Sequence, residues 1–349
     1  MRQKYVIMKL GKLTLLVFGL MVTFSSCKKD DDSYVPPVER DRTEQQAADK
    51  DSLLLYLQTH YYNSSVFESG TNHTISEIII SELPKDAAGN YLPLPDPANN
   101  TLLIDDVTIL TTTYLETEYE YYVLNLNQGG GVAPKFSYDV RVNYSGNLLD
   151  EEIFDSTVTP TTIDLLNLIQ GWRLIMPTFN TAESYVENGD GTVSYDNYGL
   201  GVMFLPSGLA YYASPPFGVT AYANLIFKFE LFQTEMNDHD EDGIPSHIED
   251  LDGDENPFND DTDADDIPNL LDLDDDGDGV LTINELQKTT YTVDTNIGEQ
   301  EPVLAAGEYE RSRTVSNGII TIKTVKTVDS DTNGVADYLQ SSITINYNE

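Results

Sequence analysis

"VRVNYSGNLLDEEIFDS", residues 140–156, decides how the rest of this 349-residue chain is read. Val140, Val142 and Tyr144 alternate with polar residues, the period of a strand with one buried face. Gly146 and Asn147 supply a turn, and "EEIFDS" brings the chain back as a second strand. The return ends in an aromatic followed at once by a carboxylate, Phe154 and Asp155. A carboxylate placed there can ligate a metal, act as a base or cap the strand end, and the hairpin alone leaves all three open.

Upstream the alternation extends through Phe136 and Tyr138, predicting one strand face from Phe136 to Tyr144. Downstream, "IDLLNLIQGW" (163–172) reads as a loop or helical turn that delivers Trp172, the single tryptophan. "NTAESYVENGDGTVSYDNYG" (180–199) is polar and reads as a surface loop, after which "LGVMFLPSGLAYY" (200–212) and "ANLIFKFELF" (223–232) resume as strands. Before the hairpin, "AADKDSLLLYLQTHYYN" (47–63) predicts one short helix starting near Asp49 or Asp51. "SEIIISEL" (76–83) and "LLIDDVTILTTTYLETEYEYYVLNL" (102–126) read as strands, separated by a proline-rich loop.

Four segments in this order, "VRVNYSGNLLDEEIFDS", "LIQGW", "LPSGLAYY" and "ANLIFKFEL", resemble the FKBP-type peptidyl-prolyl isomerases over roughly residues 135–232. The resemblance implies an antiparallel sheet wrapped on a short helix. It places Tyr144, Phe154, Asp155, Leu168, Ile169, Trp172, Tyr211 and Phe227 in a binding pocket, with Trp172 as its floor and Val219 on a flap formed by "SPPFGV". It further implies that Tyr211 donates to a substrate carbonyl and that Asp155 orients the pocket edge. Two departures bear on rate and selectivity rather than on fold: Tyr212 stands where the family commonly has Gly, and the insertion at 180–199 replaces a compact link. X-Pro rotation requires no proton transfer, because the barrier of about 18–20 kcal/mol is amide resonance, and an apolar cleft favours the twisted, less polar amide.

A second chemistry follows. From Glu235 to Glu285 there are 21 Asp or Glu and no Lys or Arg. "DHDEDGIPSHIE" (238–249) and "DDDGDGVLTINE" (274–285) carry Asp238, Asp240, Asp242, Glu249 and Asp274, Asp276, Asp278, Glu285 in the spacing D-x-D-x-D-G-x5-E. There, alternating carboxylates converge on a hard cation and Gly permits the turn. "DTDADDIPNLLD" (261–272) offers Asp261, Asp263, Asp265 and Asp272, with Asp266 in place of Gly, and "DSDTNGVADYLQ" (329–340) is a degenerate fourth loop. The loop starts at 238, 261 and 274 resemble thrombospondin type 3 repeats, which implies structural calcium. His60, His73, His239 and His247 are scattered, are read as surface residues, and form no zinc pair.

The first 26 residues carry four positive charges ahead of "LTLLVFGLMVTF" and read as a secretory signal too short to span a bilayer. "FSSC" then resembles a bacterial lipoprotein box with Cys27, the only cysteine, as the lipidated terminus. The acidic tether after it resembles a surface-display signal of the Bacteroidetes kind. Cleavage would leave 15 basic against 59 acidic residues, a balance of −44, which argues against nucleic acid and for cations.

The predicted organisation is α+β: signal 1–26, tether 27–46, α+β extension 47–130, isomerase domain 131–234, calcium-binding repeats 235–286, and a small β element 287–349 in which "GIITIKTVKTV" and "SSITINYN" read as strands. The expected function is an isomerase of the cell envelope or outer membrane, acting on proline-containing polypeptides. A non-catalytic peptide-binding or adhesion module is the alternative.

Overall fold

The computed structural model describes residues 39–348, so the signal, Cys27 and most of the expected tether lie outside the described residues. Helix α1 (Arg42–Thr59) begins ahead of the predicted start because Asp41 caps it, accepting from the Glu44 N–H at 2.9 Å. Asp49, expected near the helix start, is buried inside it. Strands β1 (His60–Tyr62), β2 (Ile80–Glu82) and β3 (Thr101–Leu102) form a small antiparallel sheet in the order β2-β1-β3. Only the end of "SEIIISEL" is strand, since Ile75–Glu77 winds into a 3-10 turn closed by a capping box between Thr74 and Glu77. A one-turn helix α2 (Leu103–Asp106) precedes the hairpin of β4 (Thr108–Tyr114) and β5 (Thr117–Asn127).

That hairpin joins the main sheet. The remaining elements are β6 (Asp139–Asn147), β7 (Ile153–Ser156), β8 (Thr161–Asp164), α3 (Gln170–Ile175), β9 (Ser184–Glu187), β10 (Val193–Asp196), β11 (Gly199–Leu205) and β12 (Leu225–Glu235). The main sheet runs β4-β5-β11-β12-β6-β7, all antiparallel, with β8 paired to the first half of β6 and β7 to its last residues. One sheet therefore crosses the boundary expected at 130/131. Phe136 and Tyr138 precede β6 instead of extending its face, and Phe136 packs with Leu166 and Leu270. The insertion at 180–199 is not an irregular loop. Its β9–β10 hairpin lays Tyr195 on Phe232 at 4.4 Å.

Both faces of the sheet are covered. On one, Leu53, Tyr56 and Leu57 of α1 share a core with Tyr122, Leu124, Val202, Phe204 and Ile226. On the other, Trp172 and Ile175 of α3 share a core with Tyr121, Val123, Met203, Leu205, Phe227 and Phe229. The strict alternation of these two sets along β5, β11 and β12 is the pleat expressed in sequence. Each such side chain gains roughly 1.5–3 kcal/mol by leaving water.

Beyond β12 the acidic loops lead into β13 (Gln287–Asp294), β14 (Glu308–Ser316) and β15 (Ile319–Lys326), a sheet ordered β13-β15-β14. "SSITINYN" is not a strand. Instead the Tyr347 N–H donates to the Asn284 carbonyl at 2.8 Å and the Asn348 amide bonds the Ile283 and Asn284 carbonyls, tying the tail to the end of an acidic loop. Ile244, Leu286, Val325 and Tyr338 form one cluster, so a shared core spans the boundary expected at 286/287. The acidic segment also packs on the main sheet. Tyr138 meets His247 edge to face at 5.1 Å, and Arg173 Nη2 donates to the Glu255 carbonyl at 2.5 Å. The architecture as a whole is α+β, mostly antiparallel sheet with few helices.

Candidate functional site

Gly146 faces Asp155 across the β6–β7 pair while Asn147 faces Ile153, which leaves Phe154 as the extra residue of a bulge. A bulge re-aims a side chain that regular alternation would send to the other face. This accounts for the aromatic and carboxylate in succession: Phe154 packs on Phe227 while Asp155 lines the pocket. Tyr144 lies two residues from Gly146 on the same strand, diagonal to Asp155, and its hydroxyl donates to Asp155 Oδ2 at 2.7 Å. Gly146 is required here, because a Cβ would sit 2.7 Å from the Phe154 ring and 2.8 Å from that of Phe227.

Helix α3 supplies Trp172, 2 % exposed, and the seat for it is Gly171, where a Cβ would meet Leu205 at 2.4 Å. Trp172 stands edge-on to Tyr144 and to Phe227, both with ring centres at 5.5 Å, and Phe154 stands edge-on to Phe227 at 5.6 Å. A pocket of about 110 Å³ opens between Tyr144, Asp155, Ile163, Asn167, Leu168, Ile169, Trp172, Tyr211 and Phe227. Seven of the nine pocket residues named from sequence thus come together. Phe154 supports Phe227 from behind, and Val219 lies in the core beneath.

Ile163 and Asn167 escaped the sequence reading because β8 and the turn after it carry no distinctive motif. The signal that could have placed them is Asp164, which caps that turn by accepting from the Leu166 N–H at 2.9 Å. Burial, then the Asp155 carboxylate, holds the Tyr144 phenol well above its usual range, and the same two causes raise Tyr211. Both therefore stay protonated and able to donate. The pocket offers apolar walls, two phenols and one carboxylate edge. Tyr212 adopts φ 49°, a conformation at which Gly is at ease, and its hydroxyl donates to the Arg40 carbonyl at 2.5 Å, fastening the start of α1.

The acidic loops share one backbone geometry, and among the described residues there are five. In those starting at Asp238, Asp250, Asp261, Asp274 and Asp329, the sixth N–H donates to the first carboxylate at 2.9–3.0 Å. The seventh N–H donates to the fifth side chain: Ile244 to Asp242, Asn256 to Asp254, Ile267 to Asp265, Val280 to Asp278 and Val335 to Asn333. The fourth and sixth residues of every loop have positive φ, including Asp266 at 76° and Glu255 at 63°. The loop at 250 was missed from sequence because Glu255 holds the Gly position. Its signal was the alternation of Asp250, Asp252 and Asp254.

Among the described residues, carboxylate oxygens converge in four groups: Asp240, Asp242, Glu249 and Asp275; Asp250, Asp252 and Asp260; Asp261, Asp263 and Asp265; Asp274, Asp276 and Asp278. Asp238 and Glu285 lie outside these sets, yet Asp238 Oδ1 and both Glu285 oxygens are buried without a hydrogen-bond partner. Asp272 turns to the Asp274 N–H at 3.0 Å instead of closing the third loop. Burial, reinforced by neighbouring carboxylates, pushes Glu249 up to about 11 and Glu285 to about 8. Unpartnered buried carboxylates fit a hard cation held by oxygen alone. None of the four histidines is a fully exposed surface residue: all are half-buried, and His60 stacks on Tyr56 at 3.8 Å. His239 and His247 lie where the acidic segment meets the main sheet.

A family model described as BamM C-terminal matches residues 239–321, a stretch that runs from the first acidic loop into β15. Among solved structures, a peptidyl-prolyl cis-trans isomerase of Pseudomonas syringae pv. tomato is 24% identical over 33% of this chain and 75% of that chain, with TM-score 0.28. FkpA from Escherichia coli is 24% identical over 36% of this chain and 51% of that chain, again with TM-score 0.28.

Proposed function

We propose that this chain is a peptidyl-prolyl isomerase of the FKBP kind, anchored at the outer membrane through a lipid on Cys27 and acting on exported, proline-containing polypeptides. The observation that carries the reading is the pocket itself, an aromatic floor and walls with the Tyr144–Asp155 hydrogen bond at one edge. A prolyl ring seated on Trp172 leaves the preceding carbonyl to turn within apolar walls, where the twisted amide is favoured over the planar one. Tyr211 offers a protonated hydroxyl to that carbonyl. Asp155, bonded to Tyr144, fixes the edge against which the peptide lies. Each tenfold of acceleration requires about 1.4 kcal/mol of such preference, a scale that a few ring contacts and one hydrogen bond can supply.

The match of residues 239–321 to the BamM C-terminal model supports association with outer-membrane machinery. Structural calcium would be held by Asp238, Asp240, Asp242 and Glu249, by Asp274, Asp276, Asp278 and Glu285, and more openly by Asp261, Asp263 and Asp265. It would supply charge neutralisation and rigidity, in the manner of thrombospondin type 3 repeats.

The test is the cis/trans exchange rate of a short X-Pro peptide measured with residues 28–349. Acceleration that Trp172→Ala removes supports the reading; none from a folded sample overturns it. A second reading, peptide holding with little turnover, is favoured by one observation. Phe217 on the flap is fully exposed and its neighbour Gly218 borders Phe154, so an apolar tip stands beside the pocket.

A further inference from the structure

Asp275 is the one aspartate of the loop at 274–285 that falls outside its alternating series. It is 1 % exposed, neither of its oxygens has a hydrogen-bond partner, and its own N–H is engaged by Thr282 Oγ1 at 3.2 Å. Its side chain turns away from its own loop and into the first one. One oxygen from each of Asp240, Asp242, Glu249 and Asp275 lies within 4.8 Å of the others.

Asp242 and Glu249 are fully buried, and Glu249 has both oxygens unpartnered, as Asp240 and Asp242 each have one. Asp240 and Asp242 each accept one backbone N–H, but the remaining oxygens of the four carboxylates have no donor to replace water and repel each other, an arrangement that a cation would relieve. The nearby guanidinium of Arg311 is committed to the Glu241 carbonyl at 2.8 Å. The donor set identifies the kind of ion: four carboxylates offer oxygen alone, which suits a hard cation such as calcium and excludes a preference for softer metals.

We propose that Asp275 is a ligand of the calcium ion in the first acidic loop, so that a single ion ties the loop at 238–249 to the loop at 274–285. This rests on the reading that the loops take calcium. The ion would close the ring around Ile244, Leu286, Val325 and Tyr338, the small core between loops and C-terminal sheet.

Calcium titration by calorimetry of the chain from residue 28, compared with Asp275→Asn and with Asp263→Asn in the exposed third loop, tests the assignment. The expected result is a tightest site weakened at least tenfold in Asp275→Asn and kept in Asp263→Asn. Hydrogen exchange of the wild type should show segments 238–249 and 274–285 gaining protection at one shared calcium midpoint. Unchanged tight binding in Asp275→Asn, or two separate midpoints, overturns the proposal while leaving the calcium reading intact. No saturable binding by the wild type at millimolar calcium overturns both. Where Asp275→Asn does not fold, the wild-type exchange decides alone.

Discussion

His239 Nε2 lies 3.2 Å from Asp164 Oδ2, joining the first acidic loop to the strand that leads into the pocket. The same carboxylate caps the next turn through Leu166 N–H and accepts from Asn167 Nδ2 at 2.5 Å, and Asn167 and Leu168 line the pocket. The acidic segment is thus a docked body rather than a free spacer. Loss of this anchor should loosen one wall without touching the others. Asp164→Ala is expected to lower isomerase kcat/KM by about threefold to tenfold, that is roughly 0.6–1.4 kcal/mol. Chelation should produce a similar fall in the wild type and none in His239→Ala. A chelator effect of equal size in both would show that the His239 contact carries no coupling.

Trp172 combines two roles that substitution can separate. Removing the ring opens a cavity in a core it shares with Phe227 and Phe229, so Trp172→Ala should cost about 3–5 kcal/mol of stability. Trp172→Leu keeps most of the volume, and is expected to remain folded while losing about a hundredfold in kcat/KM, or roughly 2.7 kcal/mol. Tyr211→Phe, which removes only a hydroxyl, should lose about tenfold with an unchanged melting temperature. Full activity in folded Trp172→Leu would move the reaction away from this pocket.

How much of this was legible beforehand depended on whether the signal was local. Alternation along residues 225–231 fixes their faces, whereas the all-apolar run 200–205 marks a strand buried on both faces without saying which side chain points where. The order of the hairpin, Gly171-Trp172 and Ala210-Tyr211 foretold which side chains would meet. The bulge at Phe154 was not legible, because it depends on how β7 pairs with β6 and on the space that Gly146 leaves. Nor was the union of residues 108–127 with the main sheet, since β5 pairs with β11 more than seventy residues later and no local pattern encodes a partner. The tail "SSITINYN" alternates like a strand, yet its polar groups are taken by the end of an acidic loop, so tertiary bonding overrides the pattern.

Asp49 ties α1 to the turn that carries Tyr211 toward the pocket. It is 3 % exposed and accepts from the Ser207 N–H at 2.9 Å, the Ser207 hydroxyl at 2.6 Å and the Gln45 amide at 2.6 Å. Asp49→Ala leaves those donors buried and unpaired, and should cost about 3 kcal/mol. Burial raises the Asp49 pKa above 3.8, partly offset by these hydrogen bonds. A raised folded value means that the group's contribution is complete below the unfolded value and is lost as pH rises through the folded one. Asp49→Asn does not titrate, so wild-type stability relative to this variant should fall as pH rises above about 4. Urea midpoints of the two proteins across that range provide the check, and a constant difference would contradict it.

The sixth position of the acidic loops offers the last test, because five loops adopt one backbone with different residues. Gly279 sits at φ 93° and Asp266 at 76° in equivalent places. An L residue in the left-handed region costs roughly 1–2 kcal/mol, less for Asp, whereas Gly is nearly free of that cost. Gly279→Ala should therefore lower stability in calcium by about 1 kcal/mol or more, and Asp266→Gly should raise it by a few tenths, since the same hydrogen bond from the sixth N–H to Asp261 survives. Thermal unfolding in calcium measures both. If Asp266→Gly destabilises, the Asp266 side chain has a role that the backbone geometry does not account for, and the loop at 261 is then not an equivalent copy of its neighbours.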